Sequence, residues 1–169
     1  IYVSDGYGNA RVHRFTPDGR LIESWGEPGT GPGQFNLPHN IHCDEEGWVY
    51  VADRENHRVQ VFDGRGRYET EWRNLHRPSA LFMTAGPRPL TYVGEVGPYL
   101  RSHFGWPNLG PRVSVLDARG EVVARFDSTK DEGVVPGAFL SPHSIAVDSR
   151  GAVYIGDVCN TAWPSLFPG

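Results

Sequence analysis

The sequence predicts an all-β protein: a β-propeller of four-stranded antiparallel blades, of which about three are present. Three observations indicate this fold: a motif that recurs at the period of one blade, short segments rich in β-branched residues, and turns that begin with Asp and end with Gly. The 169 residues include 21 Gly and 14 Pro, as many strands joined by turns require. No stretch shows helical periodicity long enough to matter.

A tetrapeptide of the type Tyr-Val-x-Asp sets the repeat. Its four copies begin at residues 2, 50, 92 and 154, so the intervals are 48, 42 and 62 residues. The first two intervals lie near the roughly 40–50 residues of one propeller blade. The third interval is longer because it contains a stretch rich in Pro, Gly and aromatic residues, 97–110, which we interpret as an inserted loop.

Turns of defined chemistry separate the predicted strands. Asp can cap a tight turn by bonding to nearby backbone groups, and Gly adopts the positive φ angle that closes it. The segments between the turns, such as Val59–Phe62 and Val122–Phe126, are short and β-branched, which is typical of strands. The turns that run from Asp to Gly are 44–47, 63–66, 117–120 and 148–151.

The repeat divides one propeller domain, residues 1–169, into blades and blade remnants. Their approximate bounds are 1–25, 35–72, 78–126 and 139–169. The first keeps only its later strands, and the fourth stops soon after its second strand. Because propellers usually close with about four to eight blades, we expect either that further blades belong to a longer chain or that copies associate to complete a ring.

Charge and hydropathy argue against two kinds of partner. The chain has 16 Lys and Arg against 20 Asp and Glu, a net charge of −4, and no basic cluster, so we expect no nucleic-acid binding. No apolar run approaches the roughly 18 residues of a membrane span, so we expect no membrane insertion. The two cysteines, Cys43 and Cys159, lack metal-ligand spacing, and the sequence allows them to be reduced or paired.

Histidines at the start of the predicted innermost strands are candidate metal ligands. Equivalent positions hold His39, Ser79 and His143. In a six-bladed ring, alternate blades lie about 120° apart, so a His from every second blade would converge on the axis. Three neutral imidazoles with an open fourth position form a catalytic zinc geometry, and the third ligand would lie upstream of residue 1. The alternatives are structural histidines or a repeat consensus, which Ser79 interrupts.

Several longer runs carry a resemblance to a known family. They span most of residues 1–72 and return at 139–160, whereas the match is weak between about 76 and 112. In their order they resemble NHL repeats and, more narrowly, the lyase domain of the peptide-amidating enzymes, peptidyl-α-hydroxyglycine α-amidating lyase. The runs in the first half are Tyr2–Arg11, Trp25–Glu27, Pro32–Phe35 and Val51–Arg58.

The resemblance implies a six-bladed propeller that holds zinc through three axial histidines and splits a peptidyl-α-hydroxyglycine into a peptide amide and glyoxylate. It assigns His39 and His143 to the zinc, Tyr7 to the catalytic base and Arg54 to the substrate carboxylate, which an Arg binds as a two-pronged fork. It also implies a peptide or small-molecule substrate and favours a secreted or periplasmic location. The structural alternatives are a packed aromatic for Tyr7 and a surface ion pair for Arg54.

Some positions depart from the family. The Cys that follows the base is Gly8, and the Met two before the last axial His is Ser141. The Asp that follows this His and helps to bind a structural calcium is Ser144, so the resemblance supports calcium less well than zinc.

The sequence therefore leaves three functions open. The first is a zinc-dependent lyase, of which the 169-residue chain alone is expected to be inactive because one zinc ligand is missing. The second is a non-catalytic NHL propeller that binds a protein or ligand. The third is a calcium-dependent hydrolase similar to lactonases, which would need axial carboxylates and Asn, and only Asn40 favours it.

Overall fold

Strands dominate the part of the chain that the computed structural model describes, which is residues 1–98, 105, 107–127 and 139–158. These residues form thirteen strands and one short 3₁₀ turn, Arg54–Asn56. The strands are β1 Tyr2–Asp5, β2 Arg11–Phe15, β3 Leu21–Trp25, β4 Pro38–Cys43, β5 Val49–Asp53, β6 Arg58–Phe62, β7 Tyr68–Trp72, β8 Pro78–Met83, β9 Thr91–Glu95, β10 Arg112–Leu116, β11 Val122–Asp127, β12 Pro142–Val147 and β13 Val153–Asp157.

The strands form four separate sheets, and within each sheet the strands that follow one another in sequence pair antiparallel. Their orders are β1-β2-β3, β4-β5-β6-β7, β8-β9-β10-β11 and β12-β13. The first strands of successive sheets lie side by side, since β4 contacts β8 and β8 contacts β12. The predicted all-β architecture of four-stranded antiparallel blades is therefore confirmed.

Part of the sequence prediction lies outside the described residues. This applies to residues 99–104 and 106 of the proposed inserted loop, 97–110, to Cys159 and to the end of the fourth blade beyond residue 158. Cys43 is exposed and forms no disulfide within the described residues. Among those residues we find no helix with the length and apolar character needed to cross a membrane.

The turns from Asp to Gly share one geometry. In each, a single carboxylate oxygen of the Asp accepts hydrogen bonds from two backbone N–H groups further along the turn, at 2.8–3.0 Å. The Gly that ends each turn has a φ between +76° and +91°, a conformation that side chains rarely adopt. The four aspartates are Asp44, Asp63, Asp117 and Asp148. Local chemistry therefore joins the strands wherever this motif occurs.

Apolar side chains are buried between successive blades. One cluster lies between the first and second sheets and another between the second and third. At the rim of each cluster, the Trp that ends one blade packs on the turn glycine of the next, Trp25 on Gly66 and Trp72 on Gly120, so closely that a Cβ on either glycine would overlap the indole ring. The buried members are Ala10, Val12, Phe35, Val49, Val51 and Phe62 in the first cluster, and Tyr50, Ala52, Val59, Leu81, Val93 and Leu116 among those in the second.

A buried carboxylate closes the second blade. Asp53, at the end of β5, is fully buried and accepts a hydrogen bond from the backbone N–H of Asn36 at 2.7 Å. It also accepts from the side chains of Asn56 at 2.9 Å, Arg58 at 2.8 Å and Gln60 at 3.0 Å. Burial raises the pKa of the Asp53 carboxyl although these donors and the Arg58 charge oppose the rise. The network therefore fixes the positions of these groups more than it adds to the net stability of the fold.

The equivalent positions in the next two blades do the same. Glu95, at the end of β9, is fully buried and accepts hydrogen bonds from the backbone N–H of His76 and from Arg112. Asp157, at the end of β13, accepts from the backbone N–H groups of Leu140 and Ser141. In these three blades the last residue of the repeated tetrapeptide thus holds the chain just before the first strand.

We expect Asp53→Ala to lower the free energy of unfolding by about 3–5 kcal/mol, because it removes the fully buried partner of the Arg58 guanidinium and leaves the Asn36 N–H without its acceptor. The measurement is denaturant unfolding followed by circular dichroism. Glu69→Ala removes an exposed carboxylate from β7 of the same blade and should leave the transition nearly unchanged. Equal effects of the two substitutions would contradict the structural role of Asp53.

Candidate functional site

The four residues singled out in the sequence lie at one end of the blades. His39 and His143 are the second residues of β4 and β12. Arg54 begins the 3₁₀ turn after β5, whose last residue pairs with the first residue of β4. Tyr7 lies in the turn between β1 and β2. The structure brings all four together.

The two imidazoles lie edge to face. The ring centroids of His39 and His143 are 4.5 Å apart, and the ring planes are inclined at 79°. Nδ1 of His39 lies 2.7 Å from the carbonyl oxygen of Ser79, an acceptor, so Nδ1 carries the proton and Nε2 keeps its lone pair. The blade that has Ser in place of His therefore orients the His of its neighbour.

Both histidines are neutral at physiological pH. Burial lowers the pKa of His39 to about 4, and the nearby His143 lowers it as well, although the Ser79 carbonyl opposes the shift. Burial also lowers the pKa of His143, followed by the charge of Arg54. Neutral imidazoles are the form in which histidines bind metal ions.

Tyr7 and Arg54 contact each other beside the imidazoles. Nη1 of Arg54 donates a hydrogen bond to the Tyr7 hydroxyl at 3.2 Å, and the guanidinium carbon lies 5.7 Å from the centroid of the Tyr7 ring. The Tyr7 ring meets His39 edge to face at 6.3 Å. Because Tyr7 is 78% exposed, its hydroxyl is accessible from solvent. The structural alternative of a packed aromatic does not describe this side chain.

Sequence reasoning anticipated only part of the surroundings of Arg54. The side chain does pair with Glu55, at 2.8 Å from Nε to Oε1, but only 9% of it is exposed, so this is not a surface ion pair. A second arginine, Arg77, reaches the same carboxylate at 2.7 Å. Nothing in the sequence pointed to Arg77, because it lies where the resemblance to the family is weak and belongs to another blade.

The donor set limits which metal chemistry the site can support. The described residues contain no group of three or more His, Cys, Asp or Glu side chains arranged to hold a metal ion. They bring two neutral imidazoles, those of His39 and His143, to one place. The side-chain oxygen of Asn40 accepts the backbone N–H of Leu81 at 3.2 Å, so it is already engaged by the neighbouring blade.

Comparison with known proteins agrees with the fold and the resemblance. Residues 35–62 match the NHL repeat family. One NHL repeat thus lies in the second blade of this β-propeller fold. The chain is 31% identical to rat peptidylglycine α-amidating monooxygenase over an alignment of 177 positions, which covers 96% of this chain and 16% of that protein. It is 34% identical to human NHL repeat-containing protein 3 over 94% of this chain and 44% of that protein. The chain thus spans less than half of the length of either relative.

Solved structures support the fold alone. The blades superpose on a virginiamycin B lyase from Staphylococcus aureus with a TM-score of 0.59 and 15% identity, over 96% of this chain and 53% of that chain. They superpose on hydrazine synthase from Kuenenia stuttgartiensis with a TM-score of 0.61 and 17% identity, over 89% and 36% of the two chains.

A glycine allows the first blade to approach the second at the site. Gly6 directly precedes Tyr7, and a Cβ at this position would overlap the backbone carbonyl of Pro38, the residue before His39. Gly8, on the other side of Tyr7, has no neighbouring atom within 4 Å of where its Cβ would lie. The two glycines are therefore a matched pair with opposite steric constraints.

We expect Gly6→Ala to destabilise the protein by about 1–3 kcal/mol, because the added methyl forces the two backbones apart. Gly8→Ala should leave stability nearly unchanged. Thermal and denaturant unfolding of both variants measure the difference. A tolerated Gly6→Ala would show that the first blade does not pack on Pro38 as described.

Proposed function

We propose that these blades belong to a zinc-dependent, lyase-like NHL propeller that cleaves substrates of the peptidyl-α-hydroxyglycine type to an amide and glyoxylate. The observation that carries the proposal is the edge-to-face pair of imidazoles, His39 and His143, with Tyr7 and Arg54 beside it. The similarity to amidating monooxygenases, which covers 96% of the chain, supports it further.

Arg54 is suited to bind the substrate carboxylate. Its Nε is directed to Glu55 and its Nη1 to Tyr7, whereas Nη2 makes no hydrogen bond within the described part of the chain. A guanidinium with one terminal nitrogen available can donate a charge-assisted hydrogen bond to a carboxylate oxygen. Because the side chain is nearly buried, such a bond is less screened by water than one at the surface.

Tyr7 is suited to move the proton of the α-hydroxyl. The Tyr7 oxygen is exposed to solvent and lies 3.2 Å from Nη1 of Arg54, so we assign it the task of accepting the hydroxyl proton as general base. As the O–H bond breaks, the carbonyl group of glyoxylate forms and the C–N bond breaks. The electron pair of that bond remains on the amide nitrogen, which takes up the proton that Tyr7 accepted.

The two histidines would hold the zinc, together with a third ligand from outside the described residues. Zinc supplies a Lewis acid for the hydroxyl oxygen of the substrate. The part of His39 and His143 is to present neutral imidazoles in a fixed orientation, which the Ser79 carbonyl supports for His39. Calcium finds less support, because Ser144 offers no carboxylate beside His143.

A non-catalytic NHL propeller is the second candidate. It is favoured by the 34% identity to human NHL repeat-containing protein 3 and by the lack of a three-ligand group among the described residues. This candidate predicts no bound metal, so metal analysis separates the two.

We expect the full-length protein encoded by the gene to contain close to one zinc per site, and His39→Ala and His143→Ala each to lose it. Mass spectrometry of the purified, folded protein measures the metal. The control is His42→Ala, which removes an imidazole from the same strand that packs beside Phe82, away from the site. A folded wild-type protein without metal would favour the non-catalytic candidate.

We expect Tyr7→Phe to reduce kcat by about 10²- to 10⁴-fold, because it removes the group that accepts the proton. The assay follows glyoxylate release from N-benzoyl-α-hydroxyglycine by the full-length protein. Tyr154→Phe, on β13 and remote from the site, serves as the matched control. Wild-type activity in Tyr7→Phe would exclude Tyr7 as the base.

We expect Arg54→Ala to lower kcat/KM by about 10- to 100-fold through loss of the charge-assisted hydrogen bond to the carboxylate. The same assay with N-benzoyl-α-hydroxyglycine measures this. An unchanged kcat/KM would show that the carboxylate is bound elsewhere.

A further inference from the structure

We propose that Glu55 is a positioning residue that fixes the Arg54 guanidinium by sharing its carboxylate between Arg54 and Arg77. The inference rests on the proposed function, in which Arg54 binds the substrate carboxylate. It adds two residues to the site, Glu55 and Arg77, and gives each a distinct part.

The carboxylate of Glu55 is held from two blades. Its Oε1 accepts hydrogen bonds from Nε of Arg54 at 2.8 Å and from Nη2 of Arg77 at 2.7 Å, while Oε2 accepts from Nε of Arg77 at 3.0 Å. The backbone N–H of Glu55 donates to the carbonyl of Asn36 at 3.0 Å, which fixes the main chain beneath it. Glu55 therefore has little freedom to follow a moving Arg54.

Arg77 is itself tied to the backbone. Its Nη1 donates to the carbonyl of Gly97 at 2.6 Å, and its backbone N–H donates to Nδ1 of His57 at 3.2 Å. Its side chain is 10% exposed. Because these contacts hold Arg77 in place, its guanidinium can fix the position of the Glu55 carboxylate. The bidentate pair thus holds the carboxylate at a defined place.

This arrangement prepares Arg54 for an anionic ligand. An Arg side chain has many rotamers, and ordering it on binding would cost affinity. A hydrogen bond at Nε fixes the plane of the guanidinium and leaves the terminal nitrogens to face Tyr7 and the site. The Glu55 charge also offsets one of the two arginine charges, so that two buried cations can lie close together without strong repulsion.

The test compares two substrates on one protein. N-benzoyl-α-hydroxyglycine carries the carboxylate, whereas N-(hydroxymethyl)benzamide has the same amide and hydroxyl without it. The quantity compared is kcat/KM for N-benzoyl-α-hydroxyglycine divided by kcat/KM for N-(hydroxymethyl)benzamide. We expect Glu55→Gln in the full-length protein to lower this ratio by about tenfold, because the charge-assisted contact to the carboxylate is misplaced. Since both values come from one preparation, the folded fraction cancels from the ratio.

The control is Glu69→Gln, which makes the same change at an exposed position of β7 and should leave the ratio unchanged. A Glu55→Gln protein with lower thermal stability but an unaltered ratio would overturn the proposal and leave Glu55 a structural ion pair.

A second measurement does not depend on activity. Nuclear magnetic resonance can follow solvent exchange of the Arg54 Nε–H, assigned by its loss in Arg54→Lys. We expect slow exchange in the wild type and exchange at least about tenfold faster in Glu55→Gln, because opening of the hydrogen bond governs exchange. Equal exchange in both proteins overturns the positioning role. The protein can instead show slow exchange that is lost in Glu55→Gln and yet have no lyase turnover. That result would keep the positioning role of Glu55 and reject the proposed function.

Discussion

A carboxylate at the end of the second strand of a blade makes the hydrogen bonds on which the site depends. Asp53 accepts the backbone N–H of Asn36, two residues before β4 begins, and Asp157 accepts the N–H groups of Leu140 and Ser141, just before β12. The histidines occupy the second position of these two strands. The contact that closes each blade therefore also sets where its imidazole points, and folding and site assembly share one device.

This device differs in the blade that carries Ser79. Its carboxylate is Glu95, whose longer side chain reaches Arg112 and Ser114 within the blade and the backbone of His76 before it. The backbone of that blade still contributes to the site, since the Ser79 carbonyl accepts the Nδ1 proton of His39. The blade that has Ser79 at the histidine position thus orients the imidazole of the preceding blade. Equivalent positions of neighbouring blades can therefore serve one site with different residues.

How much the sequence could predict follows from the range of each interaction. The turns from Asp to Gly depend on groups within a few residues, so their pattern predicts strands and blades directly. His39 and His143 could be predicted to meet because the repeat gives them equivalent positions in a symmetrical fold. Glu55 and Arg77 could not be assigned roles, because their contact joins two blades and Arg77 adopts a φ of +46°, which no motif signals.

The electrostatics of the cluster follow from these contacts. The two imidazoles are neutral, and Arg54, Arg77 and Glu55 together carry one net positive charge. A ligand carboxylate beside Arg54 would neutralise that charge, whereas a basic side chain of a ligand at the same place would be repelled by the arginines. The charge of this cluster therefore favours a carboxylate substrate over a basic peptide.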